Sequence, residues 1–158
     1  MRVGRRSFLG MTAVLFIPGA SSAARFEVVL SGAEWRRRLS PMAFAVLRQH
    51  ATERAFTSPL NKEHRAGIFA CAGCGLPLFS SRAKYDSGTG WPSFSRPLPR
   101  SLGTSKDRLL GYVRIEVHCR RCGGHLGHVF DDGPPPTGKR YCINGVALRF
   151  NPAAKAPT

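Results

Sequence analysis

Two different spacings of apolar residues divide this chain. Between residues 31 and 51 they recur at helical intervals. Ser31-Gly32-Ala33-Glu34 reads as a capping box, in which a serine hydroxyl and a glutamate each cover an orphan backbone N–H at a helix start. Ser40-Pro41 opens a second helix, with Phe44, Leu47 and Ala51 turned to a core. Both helices are expected to pack as a lid without chemistry of their own. From Ile68 onward the pattern changes to short strands and turns. Ile68-Phe69-Ala70 leads into Cys71-Ala72-Gly73-Cys74-Gly75, and Leu76-Pro77-Leu78-Phe79 leads out, which predicts a hairpin with a knuckle at its tip. Tyr112 to His118 alternates apolar and polar at a period of two, as a half-buried strand does, and delivers a second knuckle, Cys119-Arg120-Arg121-Cys122-Gly123. In each knuckle the glycine after the second cysteine frees the backbone to turn N–H groups toward the thiols. Asp131 to Gly138 is a turn-rich loop that hands the chain to a last strand-like run, Arg140-Tyr141-Cys142-Ile143-Asn144.

Length and composition refine this picture. With 158 residues, 17 glycines and 12 prolines against 42% apolar residues, the chain predicts one loop-rich, mainly β domain. Residues 1–24 do not read as fold. A basic start with Arg5-Arg6-Ser7-Phe8-Leu9, an apolar run through Ile17 and the small residues Gly19 to Ala24 make a signal peptide of twin-arginine type, with cleavage after Ala23 or Ala24. The alternatives are an ordinary secretory leader or an uncleaved anchor. The expectation is therefore an exported protein of a bacterial periplasm with a single domain over 25–158, and no permanent membrane span after cleavage. The formal charge of +15 raises nucleic-acid binding. It is discounted because part of the charge lies in the leader, metal-bound thiolates would subtract more, and the remaining basic residues are scattered. Arg36-Arg37-Arg38 reads as a solvated helix face.

The five cysteines carry the chemistry. Cys71, Cys74, Cys119 and Cys122 form two Cys-x-x-Cys pairs, the ligand set of a tetrahedral structural zinc site. The long interval between the pairs means the ion would staple two hairpins distant in sequence. Two disulfides are the competing reading, weaker because a Cys-x-x-Cys bridge closes too small a loop to stabilise much. Four closed thiolate positions would leave no place for substrate, so such a metal is structural. Cys142 is then the odd thiol and the first candidate for a nucleophile. In an extended segment Asn144 shares its face, while His128 and Phe130 share another, with His125 close by. Tyr85 to Phe94 is a glycine-rich loop presenting Trp91. Together these supply a nucleophile, a proton donor and an aromatic wall.

The runs Gly88-Thr89-Gly90-Trp91-Pro92-Ser93-Phe94, His125-Leu126-Gly127-His128-Val129-Phe130-Asp131-Asp132-Gly133-Pro134 and Arg140-Tyr141-Cys142-Ile143-Asn144, with both knuckles, resemble the methionine-(R)-sulfoxide reductase B family over about residues 28–151. The resemblance implies two antiparallel sheets in a tent- or barrel-like arrangement with short N-terminal helices and a structural zinc site joining two hairpins. It implies reduction of the R epimer of methionine sulfoxide in proteins and peptides. The Cys142 thiolate would attack the sulfoxide sulfur, His128 with His125 would protonate the departing oxygen, and Cys142 would be left as a sulfenic acid. Trp91 and Phe130 would hold the methyl group, Asn144 would orient the reacting groups, and Asp86 would give support. Many members of that family carry a second redox cysteine where this chain has Thr89. With four thiols on zinc no resolving cysteine remains, so an external thiol or a thioredoxin-like donor is expected to reduce Cys142. Two other readings are a noncatalytic zinc-stapled binding module, which would tolerate Cys142→Ser, and a basic zinc domain on nucleic acid, whose affinity would fall steeply with salt.

Overall fold

A computed structural model describes residues 26–108 and 110–154; the expected leader lies outside them. Two short helices open the fold, α1 (Gly32–Arg38) and α2 (Pro41–Gln49). Ser31 and Glu34 close the predicted capping box, and Ser40 accepts from the Ala43 N–H with Pro41 at the first helical turn. Trp35, Phe44, Val46 and Leu47 face inward, while Arg36, Arg37 and Arg38 are solvated.

Among the described residues nine strands follow: β1 (Gly67–Cys71), β2 (Pro77–Ser80), β3 (Lys84–Tyr85), β4 (Ser93–Phe94), β5 (Leu102–Asp107), β6 (Arg114–Cys119), β7 (His125–Phe130), β8 (Arg140–Ile143) and β9 (Leu148–Pro152). They form two antiparallel sheets, one ordered β2-β1-β9 and the other β3-β4-β8-β7-β6-β5. The mainly β fold with two sheets and N-terminal helices is thus the one expected. The strand predicted from Tyr112 starts later, at Arg114, because Tyr112 and Val113 lie exposed in the connection before it.

The sheets meet through aromatic side chains. Phe69 on β1 and Phe79 on β2 pack on Phe94 of β4, with ring centroids 5.0 and 4.2 Å apart, and all three are fully buried. Burying one such ring contributes about 2–3 kcal/mol, so this cluster is a principal weld between the layers. On β8 the period of two then does its sorting. Tyr141 packs towards Phe79 and Ile143 is fully buried, so Cys142 between them is left on the opposite face.

The helices form the expected lid. They pack over the sheet as a cover, with Arg48 Nη1 donating to the Cys122 carbonyl at 2.9 Å and Leu47 lying against Gly124. The end of α2 also leads to the cavities. Its C-cap, His50, takes left-handed backbone (φ 57°), ends the helix, and sends residues 50–53 to the cavities described below.

Candidate active site and metal centre

Both knuckles sit at hairpin ends, between β1 and β2 and between β6 and β7. Gly75 and Gly123 have φ of 73° and 67°, and their N–H groups return to the carbonyls of Cys71 and Cys119, both at 2.8 Å. This closes each loop tightly enough for the Leu76 and Gly124 amides to reach the thiols of Cys74 and Cys122. The four sulfurs lie within 4.8 Å of one another, with Cys71–Cys122 at 3.8 Å and Cys74–Cys119 at 3.5 Å. Zinc–sulfur bonds of about 2.3 Å set tetrahedral ligands about 3.8 Å apart, so the four thiols can hold a zinc ion. All five cysteines are free thiols, which disfavours the disulfide reading.

The fifth thiol lies in a row of polar side chains. Register pairs Tyr85 with Ser93, Ser93 with Cys142, Cys142 with His128, His128 with Glu116, and Glu116 with Ser105. Directly opposed residues project to one side, so this row crosses all six strands on the face away from the core. Two local features fit it together. β7 carries a bulge, since Val117 pairs with Gly127 but His118 with His125, and the extra residue returns His125 to the side of His128. The two imidazoles are 5.5 Å apart. At Gly127 β8 also comes close: a Cβ there would lie 2.1 Å from the Cys142 carbonyl oxygen.

Cys142 shares a cleft of about 120 Å³ with Trp91, Phe130, His128, Asn144, Gly127, Thr52 and Arg114. The structure brings Cys142, His128, Trp91, Phe130 and Asn144 to one cleft, while His125 lies one step behind, buried at 3% exposure. Burial pushes the Cys142 thiol above the usual thiol range, and the Thr89 hydroxyl and the Arg140 guanidinium oppose this. Thr89 Oγ1 is 3.8 Å from Cys142 Sγ. Arg140 is fixed by a two-pronged pair with Asp132 (2.9 and 2.8 Å) and lies 4.4 Å over the Phe130 ring. His128 Nε2 bonds Asp107 Oδ2 at 2.7 Å, and Arg114 holds the same oxygen at 2.6 Å. His125 Nδ1 bonds Glu116 at 2.8 Å; burial holds this imidazole below its usual range, with Glu116 opposing.

Asn144 departs in detail from the strand reading. It follows β8 and starts a 3-10 turn at Gly145, and its amide is committed to the backbone: Oδ1 accepts from the Glu53 N–H at 2.9 Å and Nδ2 donates to the Leu126 carbonyl at 3.0 Å. Asp86 accepts from the Gly88 N–H at 2.9 Å and shapes the glycine-rich loop.

Sequence reasoning missed Glu53, Asp107, Arg114 and Glu116. Glu53 is buried at 3% exposure, and its carboxylate takes the N–H groups of Gly145 and Val146 at 2.7 and 2.9 Å. Its carbonyl takes Trp91 Nε1 at 3.0 Å and its N–H reaches Asn144. One residue thus joins the pocket wall to the end of the thiol strand. No local pattern announces it, because its partners lie about forty and ninety positions away.

Comparison with known proteins completes the description. Residues 39–152 match the SelR domain family. The chain is 54% identical over 127 residues to a peptide methionine sulfoxide reductase MsrB of Bradyrhizobium diazoefficiens, covering 80% of this chain and 91% of that one. It is 50% identical to proteins of the same name from Agrobacterium fabrum, covering 80% and 94%, and from Leptospira interrogans, covering 79% and 96%. A solved Mis18 "Yippee-like" domain aligns at TM-score 0.47 and 19% identity over 58% of this chain and 100% of that one, too distant to bear on function.

Proposed function

The chain belongs to the SelR-domain family of methionine sulfoxide reductases and reduces methionine sulfoxide, and from that premise we propose that it acts on the R epimer in proteins and peptides, through Cys142 and without an internal resolving cysteine. The observation that carries this reading is the cleft in which Cys142 and His128 are direct cross-strand neighbours under Trp91 and Phe130. Its volume suits the sulfoxide end of one side chain. Trp91 and Phe130 offer an apolar wall to the methyl group, and exchanging methyl for oxygen would set the oxygen against that wall and the methyl against the polar row.

In the reductive step the Cys142 sulfur bonds to the sulfoxide sulfur while His128 gives a proton to the oxygen. Transfer of that oxygen leaves methionine and a Cys142 sulfenic acid; the proton gained by oxygen is balanced by the one lost from the thiol. Asp107, accepting from His128 Nε2, orients the imidazole that donates, as a carboxylate behind a catalytic histidine does. Thr89, 3.8 Å from the thiol, occupies the place from which a resolving cysteine would attack. Two external thiols then complete the cycle. The first displaces water from the sulfenic acid to form a mixed disulfide, and the second releases Cys142 and leaves the donor oxidised. A thioredoxin-like protein supplies both thiols from one chain.

The four-cysteine set holds a structural zinc ion in this reading, supported by its sulfur separations; bound there, the ion fixes the two hairpins and takes no part in the reaction. Export to a bacterial periplasm behind a twin-arginine signal is proposed from residues 1–24 alone. Among the described residues no helix is long and apolar enough to cross a membrane. An epimer-resolved assay with dithiothreitol tests the function: the R sulfoxide should turn over with wild type and not with Cys142→Ser. Turnover of the S sulfoxide, or activity in Cys142→Ser, contradicts it.

A further inference from the structure

Beside the thiol cleft lies a larger open cavity of about 510 Å³, which shares Thr52, Arg114 and His128 with it. Three elements converge on its floor. His50 comes from the cap of α2, Glu116 from β6 and His125 from β7, and one ligand atom from each lies within 4.8 Å of the other two. Glu116 Oε1 faces both imidazoles, 2.8 Å from His125 Nδ1 and 3.2 Å from His50 Nδ1, while Ser105 holds the other carboxylate oxygen. Donors bound to one first-row ion at about 2.0–2.2 Å are held roughly 2.9–3.5 Å apart, close to these separations. Two imidazoles and a carboxylate are the donor mix that binds zinc with water in the remaining position, and the cavity leaves that side open. His125 is buried, whereas His50 is exposed and is placed over the cavity by the left-handed turn that ends α2.

We propose that His50, Glu116 and His125 form a second, exchangeable site for a borderline divalent cation such as Zn²⁺, and that its occupancy inhibits the reductase. The ion takes Nδ1 of His125 and the carboxylate that orients it, beside the acid His128. Arg114 on the rim is neutralised by Asp107, but Lys106 and Arg108 are exposed cations that oppose a divalent ion. The site is therefore far weaker than the four-thiol site and reversible under conditions that leave the latter intact.

Binding is independent of the catalytic reading, whereas inhibition rests on it, so both are measured. Protein carrying one zinc per chain by native mass spectrometry is titrated with Zn²⁺ by calorimetry, and turnover is followed over the same concentrations. Wild type should take up a second equivalent and lose activity in step, with recovery on adding a chelator. His50→Ala should keep basal activity and bind the second ion about a hundredfold more weakly, as loss of one ligand requires. Cys142→Ser should still bind it with wild-type affinity. A stoichiometry that stays at one, undiminished binding in His50→Ala, or loss of the second ion in Cys142→Ser each overturns the site. A second ion that leaves turnover unchanged overturns the inhibition.

Discussion

The reactivity of Cys142 is set by opposing neighbours. Burial raises its pKa, while Thr89 and Arg140 pull it back. The resting thiol is therefore protonated at neutral pH, and alkylation by iodoacetamide should accelerate as pH rises through and beyond the ordinary thiol range. Arg140→Gln removes one lowering influence and leaves Asp132, whose charge raises the pKa, unpaired. Its alkylation at pH 7 should slow severalfold, because a thiol pushed further up carries less thiolate; an unchanged rate would show that the guanidinium does not act on the thiol. Glu53 is the residue whose effect should be largest for its distance from the chemistry. Glu53→Gln leaves an acceptor for one N–H of Gly145 or Val146 and turns a donor toward the other, at a cost of about 1–3 kcal/mol. Because Trp91 and Asn144 hang on the same residue, KM should rise and kcat fall together, with a changed tryptophan fluorescence, in a protein that still melts cooperatively. A change in melting temperature alone, with kinetics intact, would reduce Glu53 to a structural role.

At the scale of elements the central fact is the close approach of β7 and β8. Gly127→Ala places a methyl 2.1 Å from the Cys142 carbonyl oxygen, a contact relieved only by parting the strands. It should cost about 1–3 kcal/mol or more and remove most of the activity even in the folded fraction, as thermal melts and kinetics on one preparation would reveal. Which parts were legible beforehand follows the same division. The capping box at Ser31, the proline start of α2, the two knuckles and the isolation of Cys142 are local patterns, and each is read from a few adjacent residues. The bulge that brings His125 beside His128 is invisible to a period of two. Asp107 and Glu116 enter through pairing of β5 with β6 and β6 with β7, and Glu53 acts through a carboxylate and backbone groups whose partners are all distant in sequence. Asn144 looked like a strand residue because extended residues and the start of a 3-10 turn share nearly the same dihedrals there, with φ −63° and ψ 124°. The helices were read as a cover, as their packing bears out; His50, which lines the larger cavity, sits at a C-cap, after the pattern ends.

For the whole molecule, the two sheets depend on an aromatic weld at one place and on the four cysteines at another. In zinc-finger peptides zinc binding supplies about 10–16 kcal/mol, comparable with the net stability of a domain. Removing the ion with a strong chelator, or substituting Cys119→Ala, should therefore release one zinc per chain and abolish the cooperative melt; retention of a wild-type melt would contradict a structural role. The scaffold leaves Cys142 facing Thr89, with His128 as its direct cross-strand neighbour, and the proposed cycle draws its reductant from outside the chain. The most direct measurement is a single turnover with one equivalent of the R sulfoxide and no added thiol, followed by trapping and mass spectrometry. The account predicts one methionine released and one added oxygen on Cys142, trapped as a sulfenic acid, with the four other cysteines unchanged. An intramolecular disulfide between Cys142 and any of Cys71, Cys74, Cys119 or Cys122, or oxygen transfer from the S epimer instead, would contradict it.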